Sequence, residues 1–188
     1  YFLIAPYFNN PPYTADQVDS LALIGSAAGT VPKQYTAVYG PIPIDGVEID
    51  PAIINVGRRF FDMTQPNLDA IATDGRFYLE NSPHRYDLIA VDAYRLPYIP
   101  FQLATSEFFG VAQTHLTGHG VLAINVGRTA TDYRMVEAIA ATLGQHFSHV
   151  HAIDLADTFN TILIAANEPT AIENLVPNAR QNAQPWVV

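Results

Sequence analysis

The sequence predicts an α/β fold: a Rossmann-like, seven-stranded sheet with helices on both faces and a C-terminal β-hairpin. Three observations predict it. Short apolar runs alternate with helix-like segments along most of the chain, the pattern of parallel strands joined by helical crossovers. The final two strand-like runs, His149–Leu155 and Phe159–Ala166, are joined by a link so short that they form a hairpin instead. The stretch from Leu21 to Pro51 places a strand, a turn of small residues, a crossover and a second strand ending near an acid, which is the layout of a unit that binds a dinucleotide or nucleoside.

The N-terminal run Tyr1–Tyr13 is aromatic and ends in Asn9-Asn10-Pro11-Pro12, a partly buried arm leading into a turn; it reads first as packing, and second as a source of Asn and aromatic side chains that could reach a ligand. Leu21–Ile24 is the first strand, and Gly25–Thr30 is the tight turn after it. Val31–Val38 forms a helix that tolerates Pro32 in its first turn, where the missing N–H costs little. Ile44–Ile49 is the second strand. Asp50 caps a helix that starts at Pro51 and turns Ile53, Ile54, Gly57, Phe60 and Phe61 inward. Leu68–Thr73 is the third strand, followed by Asp74-Gly75-Arg76 and a short helix from Phe77 that Ser82-Pro83 closes. Tyr86–Val91 is a buried fourth strand ending at Asp92. A loop rich in Pro and Tyr (Ala93–Phe101) leads to a helix over Thr105–Leu116, capped by Thr105 or Ser106. Gly120–Val126 is the fifth strand. Thr131–Gln145 is an amphipathic helix, extended by Phe147, with Met135, Ile139, Leu143 and Phe147 on one face. Beyond Asn167 lies a polar tail with one short helix and Trp186. Seven strands with this ending match the sheet of class I S-adenosylmethionine-dependent transferases. The chain divides into an arm (1–20), a ligand-binding domain (21–167) and the tail (168–188).

Composition narrows the function. The chain has 188 residues, 49% of them hydrophobic, enough for one full-sized core. The net charge of -9 opposes binding to nucleic acid or to an anionic membrane. Without cysteine there is no disulfide, thiol nucleophile or Cys-ligated metal. No apolar run approaches the roughly 20 residues of a membrane span, so any membrane attachment belongs to segments outside this sequence. The chain opens at Tyr1, not Met, and an upstream region is expected. The expected location is cytoplasmic.

Ligands on open parallel sheets bind outside the carboxyl ends of the strands. Four features fall there: the Gly25–Thr30 turn, Glu48, Asp74 and Asp92. An acid at one strand end is commonly a helix cap; four such features from four strands specify a rim. A nicotinamide enzyme would need G-x-G-x-x-G, and Gly25-Ser26-Ala27-Ala28-Gly29 does not supply it.

The runs VEIDP (Val47–Pro51), DGR (Asp74–Arg76), YDLIAVDAY (Tyr86–Tyr94) and the following IPF and TSEFF together resemble spermidine synthase-like proteins, the polyamine aminopropyltransferases of the class I methyltransferase superfamily. The resemblance covers about Leu21 to Asn167. It implies a pocket for S-adenosylmethionine or its decarboxylated form, used as co-substrate without a metal, and transfer of an alkyl group to a small amine. It implies that Glu48, with Ile49 beside it, meets the ribose and that Asp74, Gly75 and Arg76 meet the adenine. Gly25, Ser26, Ala27 and Gly29 would pass under the methionine-derived part. Asp92 would serve the reacting amine, with Tyr94, Arg95 and Tyr98 lining the acceptor slot. The alternatives are methyl transfer from intact S-adenosylmethionine and a non-catalytic nucleoside-binding domain.

Two positions depart from the family. Ala28 stands where the Gly-rich motif carries an acid, and Arg95 replaces the second acid of the motif after the fourth strand. Charge-assisted hydrogen bonds are worth roughly 1.5–3 kcal/mol each, so an acid-to-cation change weakens a diamine. The remaining signals have plain explanations. His115 and His119 read as a solvated pair, and His146, His149 and His151 as surface residues. Ser26 does not sit in a G-x-S-x-G elbow. Arg58, Arg59 and Arg128 read as solvated or ion-paired. Phe60-Phe61 and Phe108-Phe109 read as core and rim packing, with any exposed member offering a homodimer face.

Overall fold

The computed structural model describes residues 1–94 and 99–181. Its elements are β1 (Leu21–Ile24), α1 (Thr30–Tyr39), β2 (Ile44–Glu48), α2 (Pro51–Phe60), β3 (Leu68–Ala72), α3 (Gly75–Asn81), β4 (Tyr86–Val91), α4 (Ser106–Thr114), β5 (Leu116–Gly127), α5 (Arg134–Leu143), β6 (His149–Asp154), β7 (Asn160–Ala166) and α6 (Leu175–Gln181). One seven-stranded sheet runs in the order β3-β2-β1-β4-β5-β7-β6. The first five strands are mutually parallel, whereas β7 lies antiparallel between β5 and β6. The C-terminal hairpin therefore brings the start of β7 and the end of β6 to the same edge as the carboxyl ends of β1–β5.

Alternation along the strands feeds two cores, one on each face. On one face Ile24, Ile89, Leu122 and Ile124 meet Leu79, Phe108, Phe109, Ile139 and Leu143 from α3, α4 and α5. On the other, Leu21, Leu23, Leu88 and Val121 meet Tyr35 from α1 and Phe2, Tyr7 and Phe8 from the N-terminal arm. That arm is a 3-10 helix over Phe2–Phe8. The Tyr35 hydroxyl donates to the Phe2 carbonyl at 2.5 Å, and Tyr39 donates to Leu3. The tail completes this layer. Asn178 of α6 is fully buried, donates from Nδ2 to the carbonyls of Tyr7 (3.0 Å) and Asn9 (2.8 Å), and accepts from the Tyr13 N–H at 2.9 Å.

Local chemistry sets the helix starts. Pro51 sits in the first turn of α2 while Asp50 accepts from the Ala52 N–H at 2.8 Å. Asp74 caps α3 through the Phe77 N–H, and Thr105 caps α4 through the Phe108 N–H.

Several expectations are corrected. The α2 face is not uniformly inward: Ile54 and Gly57 are buried, but Ile53, Phe60 and Phe61 are exposed, because the buried side of this helix is a narrow strip against the edge of the sheet. In α5 the buried positions are Val136, Ile139 and Leu143, with Phe147 beyond the helix, while Met135 is exposed. That helix starts at Arg134, since Asp132 takes the Arg134 N–H in the preceding turn. The packing expected of Phe108 and Phe109 is found, both in the core. His115 is no solvated residue, for its ring nitrogens face the carbonyls of Val111 (2.8 Å) and Ser82 (3.2 Å). Among the described residues no helix is long and apolar enough to cross a membrane.

Candidate active site

The turn after β1 is built by close backbone approach. Gly25 adopts φ +88°, and a Cβ there would lie 2.7 Å from the Ala93 backbone. Only glycine fits both that angle and that contact. The Gly25 and Ser26 N–H groups donate to the Val47 carbonyl at 2.8 and 3.0 Å, and the Asp92 N–H donates to the Ile24 carbonyl at 2.8 Å. The turn is thereby tied to the ends of β2 and β4. Ala27 has φ +45°, and Gly29 opens α1 with φ +88°.

Glu48 is buried at the end of β2, where Oε2 accepts from the Ala27 N–H at 3.1 Å and Oε1 from the Asp50 N–H at 3.2 Å. Backbone donors thus hold its carboxylate against the turn. Ser26 is also buried, and its hydroxyl has no hydrogen-bond partner among the described residues. Ile49, next along, is two-thirds exposed at 67%. On β3's side, Asp74 Oδ1 takes the Phe77 N–H at 2.9 Å, and Oδ2 accepts from Gln102 Nε2 at 3.3 Å. Gly75 packs against Ile24: a Cβ at this position would meet its Cγ2 at 2.3 Å. Arg76 turns to Glu80 (2.8 Å) and to Thr105 (3.5 Å).

At the end of β4, Asp92 Oδ1 accepts from Asn125 Nδ2 at 2.9 Å, and Asn125 Oδ1 accepts from Asn160 Nδ2 at 2.8 Å. Burial raises the Asp92 carboxyl above the usual carboxylate range, with the Asn125 hydrogen bond partly opposing it. The Tyr94 hydroxyl donates to the Asn125 carbonyl at 3.0 Å. The phenols of Tyr94 and Tyr1 are both raised by burial and by the nearby Asp92 charge. Arg95 and Tyr98 lie outside the described residues, as does Trp186.

The strand order places these groups in line: Asp74 at β3, Glu48 at β2, the turn at β1 and Asp92 at β4. Three interstrand steps span about 14 Å. Next to this row, past β4, opens a cavity of about 590 Å³ lined by Tyr94, Ile99, Gly127, Arg128, Met135 and Ala138, among others. Of the predicted site residues Tyr94 lines it; Glu48, Asp74 and Asp92 are not in its wall.

Sequence reasoning missed Asn125, Asn160 and Gln102 and gave Arg128 no role at the site. Asn125 carried a signal, being one amide inside the apolar run of β5. Gln102 and Asn160 carried none, because only the tertiary fold brings them to the rim, whereas Tyr1 belongs to the aromatic arm whose residues could reach a ligand.

Comparisons with known proteins agree with this architecture. The family model described as the spermine/spermidine synthase domain matches residues 31–156. A probable polyamine aminopropyl transferase of Bifidobacterium longum is 31% identical over 175 residues, covering 92% of this chain and 38% of that protein. Human methyltransferase-like protein 13, solved in complex with SAH, superposes with a TM-score of 0.82 at 20% identity, over 98% of this chain and 91% of that one. A spermidine synthase solved in complex with the transition-state analogue AdoDATO gives a TM-score of 0.76 at 14% identity, over 96% and 62%. At such identities the structural likeness shows the fold. The chain spans about two fifths of the length of the curated relatives it matches. With more than half of its residues inside the family model, the chain belongs to the spermine/spermidine synthase family.

Proposed function

We propose that this chain binds an S-adenosyl ligand along the β3–β4 rim and transfers an alkyl group, aminopropyl in the family manner, to a small amine. The carrying observation is the Glu48 carboxylate locked against the small-residue turn, with Asp92 following on β4 across the Asp92–Ile24 backbone bond. The order of groups along the rim follows the order of parts in the ligand. Adenine lies by Asp74, Gly75 and Arg76, ribose by Glu48 and Ile49, the sulfonium arm over Gly25–Gly29, and the amine at Asp92. In this scheme the neutral amine attacks the carbon next to sulfur in line. A C–N bond forms, the C–S bond breaks with its electron pair leaving on the thioether sulfur, and the amine's proton passes to Asp92. A carboxylate with a raised pKa is a better base than an ordinary one and stabilises the developing ammonium. Tyr94 borders the acceptor side. Exposed Phe60 and Phe61 offer a face for a second copy of the chain.

Calorimetry with S-adenosylmethionine, its decarboxylated form and methylthioadenosine, followed by product analysis with a panel of amines, tests the scheme. Binding of the decarboxylated donor with alkylation of an amine supports it. Lack of binding by all three nucleosides refutes it. Methyl transfer is the second reading. It is favoured by Ala28, since a methyl donor does not need the missing acid, and methylated product with intact S-adenosylmethionine would establish it.

A further inference from the structure

We propose that the cavity beside Asp92 selects an amine that also carries a carboxylate, in place of a diamine, and that Arg128 holds the carboxylate. The inference rests on the transferase reading above and specifies its acceptor.

The Arg128 side chain is 10% exposed yet lines the cavity. Its guanidinium is fixed on several sides. Nε donates to Thr161 Oγ1 at 3.1 Å and faces Asp154 Oδ1 at 3.3 Å, Nη1 donates to the Thr129 carbonyl at 3.2 Å, and the group lies 4.9 Å from the Tyr133 ring centroid. Nη2 has no hydrogen-bond partner among the described residues. A preorganised, largely desolvated guanidinium with an open donor is suited to an anion.

The other charges on the wall do not cancel this donor. Asp132 is chelated by Arg134, with contacts of 3.0, 3.2 and 2.6 Å, and also takes the Arg134 N–H. Asp154 approaches Arg128 at Nε and spends its oxygens on Thr161 and Tyr133 as well. A second ammonium of a diamine would therefore face Arg128 and meet no uncommitted carboxylate on the described wall. The remaining lining is mainly apolar, with Ile99, Met135 and Ala138, and accommodates a methylene chain.

Asn125, which holds Asp92, and Arg128 are three residues apart at the end of β5, so their side chains leave opposite faces of the sheet and an acceptor joining Asp92 to Arg128 passes over the sheet edge.

The test is calorimetry on protein saturated with methylthioadenosine, using putrescine, 4-aminobutyrate and butylamine as matched acceptors. The expected result is 4-aminobutyrate binding at least about tenfold tighter than either of the others. R128Q should erase that preference, R128K should keep part of it, and R134Q should leave it within about twofold, as expected for an exposed pair. D154N removes the carboxylate behind Arg128 and should tighten 4-aminobutyrate binding, a gain that a merely damaged fold would not give. Putrescine binding as tightly as 4-aminobutyrate, absence of binding by all three acceptors, or an R128Q preference equal to wild type overturns the inference while leaving the nucleoside site intact. Failure of methylthioadenosine to bind overturns the underlying reading instead, and this inference with it.

Discussion

The two halves of the rim are held in different ways. On the half proposed to hold the donor, at β1–β3, carboxylates are fixed by backbone. Glu48 takes the Ala27 and Asp50 N–H groups, and Asp74 takes the Phe77 N–H. On the half proposed to hold the acceptor, at β4–β7, side chains hold side chains. Asp92, Asn125 and Asn160 form one relay, and Arg128, Thr161, Asp154 and Tyr133 form another. Backbone donors keep their positions whatever side chains surround them, so the geometry of the β1–β3 half depends on few residues. A side-chain relay changes its chemistry with each substitution. The difference puts the chemistry that a single side-chain change can alter at the β4–β7 end of the rim.

The contrast can be broken from either side. The largest effect is expected at Asp92. D92N should lower turnover at least about a hundredfold while leaving donor affinity within about twofold, measured by single-turnover kinetics and calorimetry. Because burial raises this carboxyl in the folded state, the folded protein binds its proton more tightly than the unfolded chain does. Stability from this group therefore falls as pH rises from the ordinary carboxylate value through the raised one, and D92N should raise the melting temperature at neutral pH.

G25A comes next. The added methyl meets the Ala93 backbone at 2.7 Å in a residue with φ +88°, so denaturant unfolding should show a loss of about 2–3 kcal/mol. On the donor half, E48A should weaken nucleoside binding at least about tenfold, the value of one charge-assisted hydrogen bond. Unchanged affinity would remove Glu48 from the ribose. The smallest and most diagnostic change is N125A. It deletes the hydrogen bond that opposes the raised Asp92 carboxyl, so the acidic limb of the pH–rate profile should move to higher pH. A limb that stays in place would show that Asp92 is not the titrating base.

Much of this was legible in the chain. The strands announced themselves as apolar runs, and the acids at their ends marked the rim, since parallel connectivity must bring Gly25, Glu48, Asp74 and Asp92 to one edge. The cap role of Asp50 could be read from its place before Pro51. Less visible was how the β4–β7 half of the rim is assembled. Asn160 and Arg128 come together only because the hairpin inserts β7 antiparallel beside β5, pairing Gly127 with Asn160. Amphipathicity also misplaced Ile53, Phe60 and Met135, because periodicity reports that a face is apolar and not that a neighbour covers it.

Composition separates the first 20 residues and the last 21 from the body of the chain, yet Asn178 fastens one to the other. The consequence is mechanical. A protein cut at residue 167 would lose the clamp on Tyr7, Asn9 and Tyr13, and the aromatic layer over Leu21, Leu88 and Val121 would come loose at its far edge. That layer runs up to Tyr1, beside Asp92, so damage to the tail would be transmitted through the arm to the end of β4.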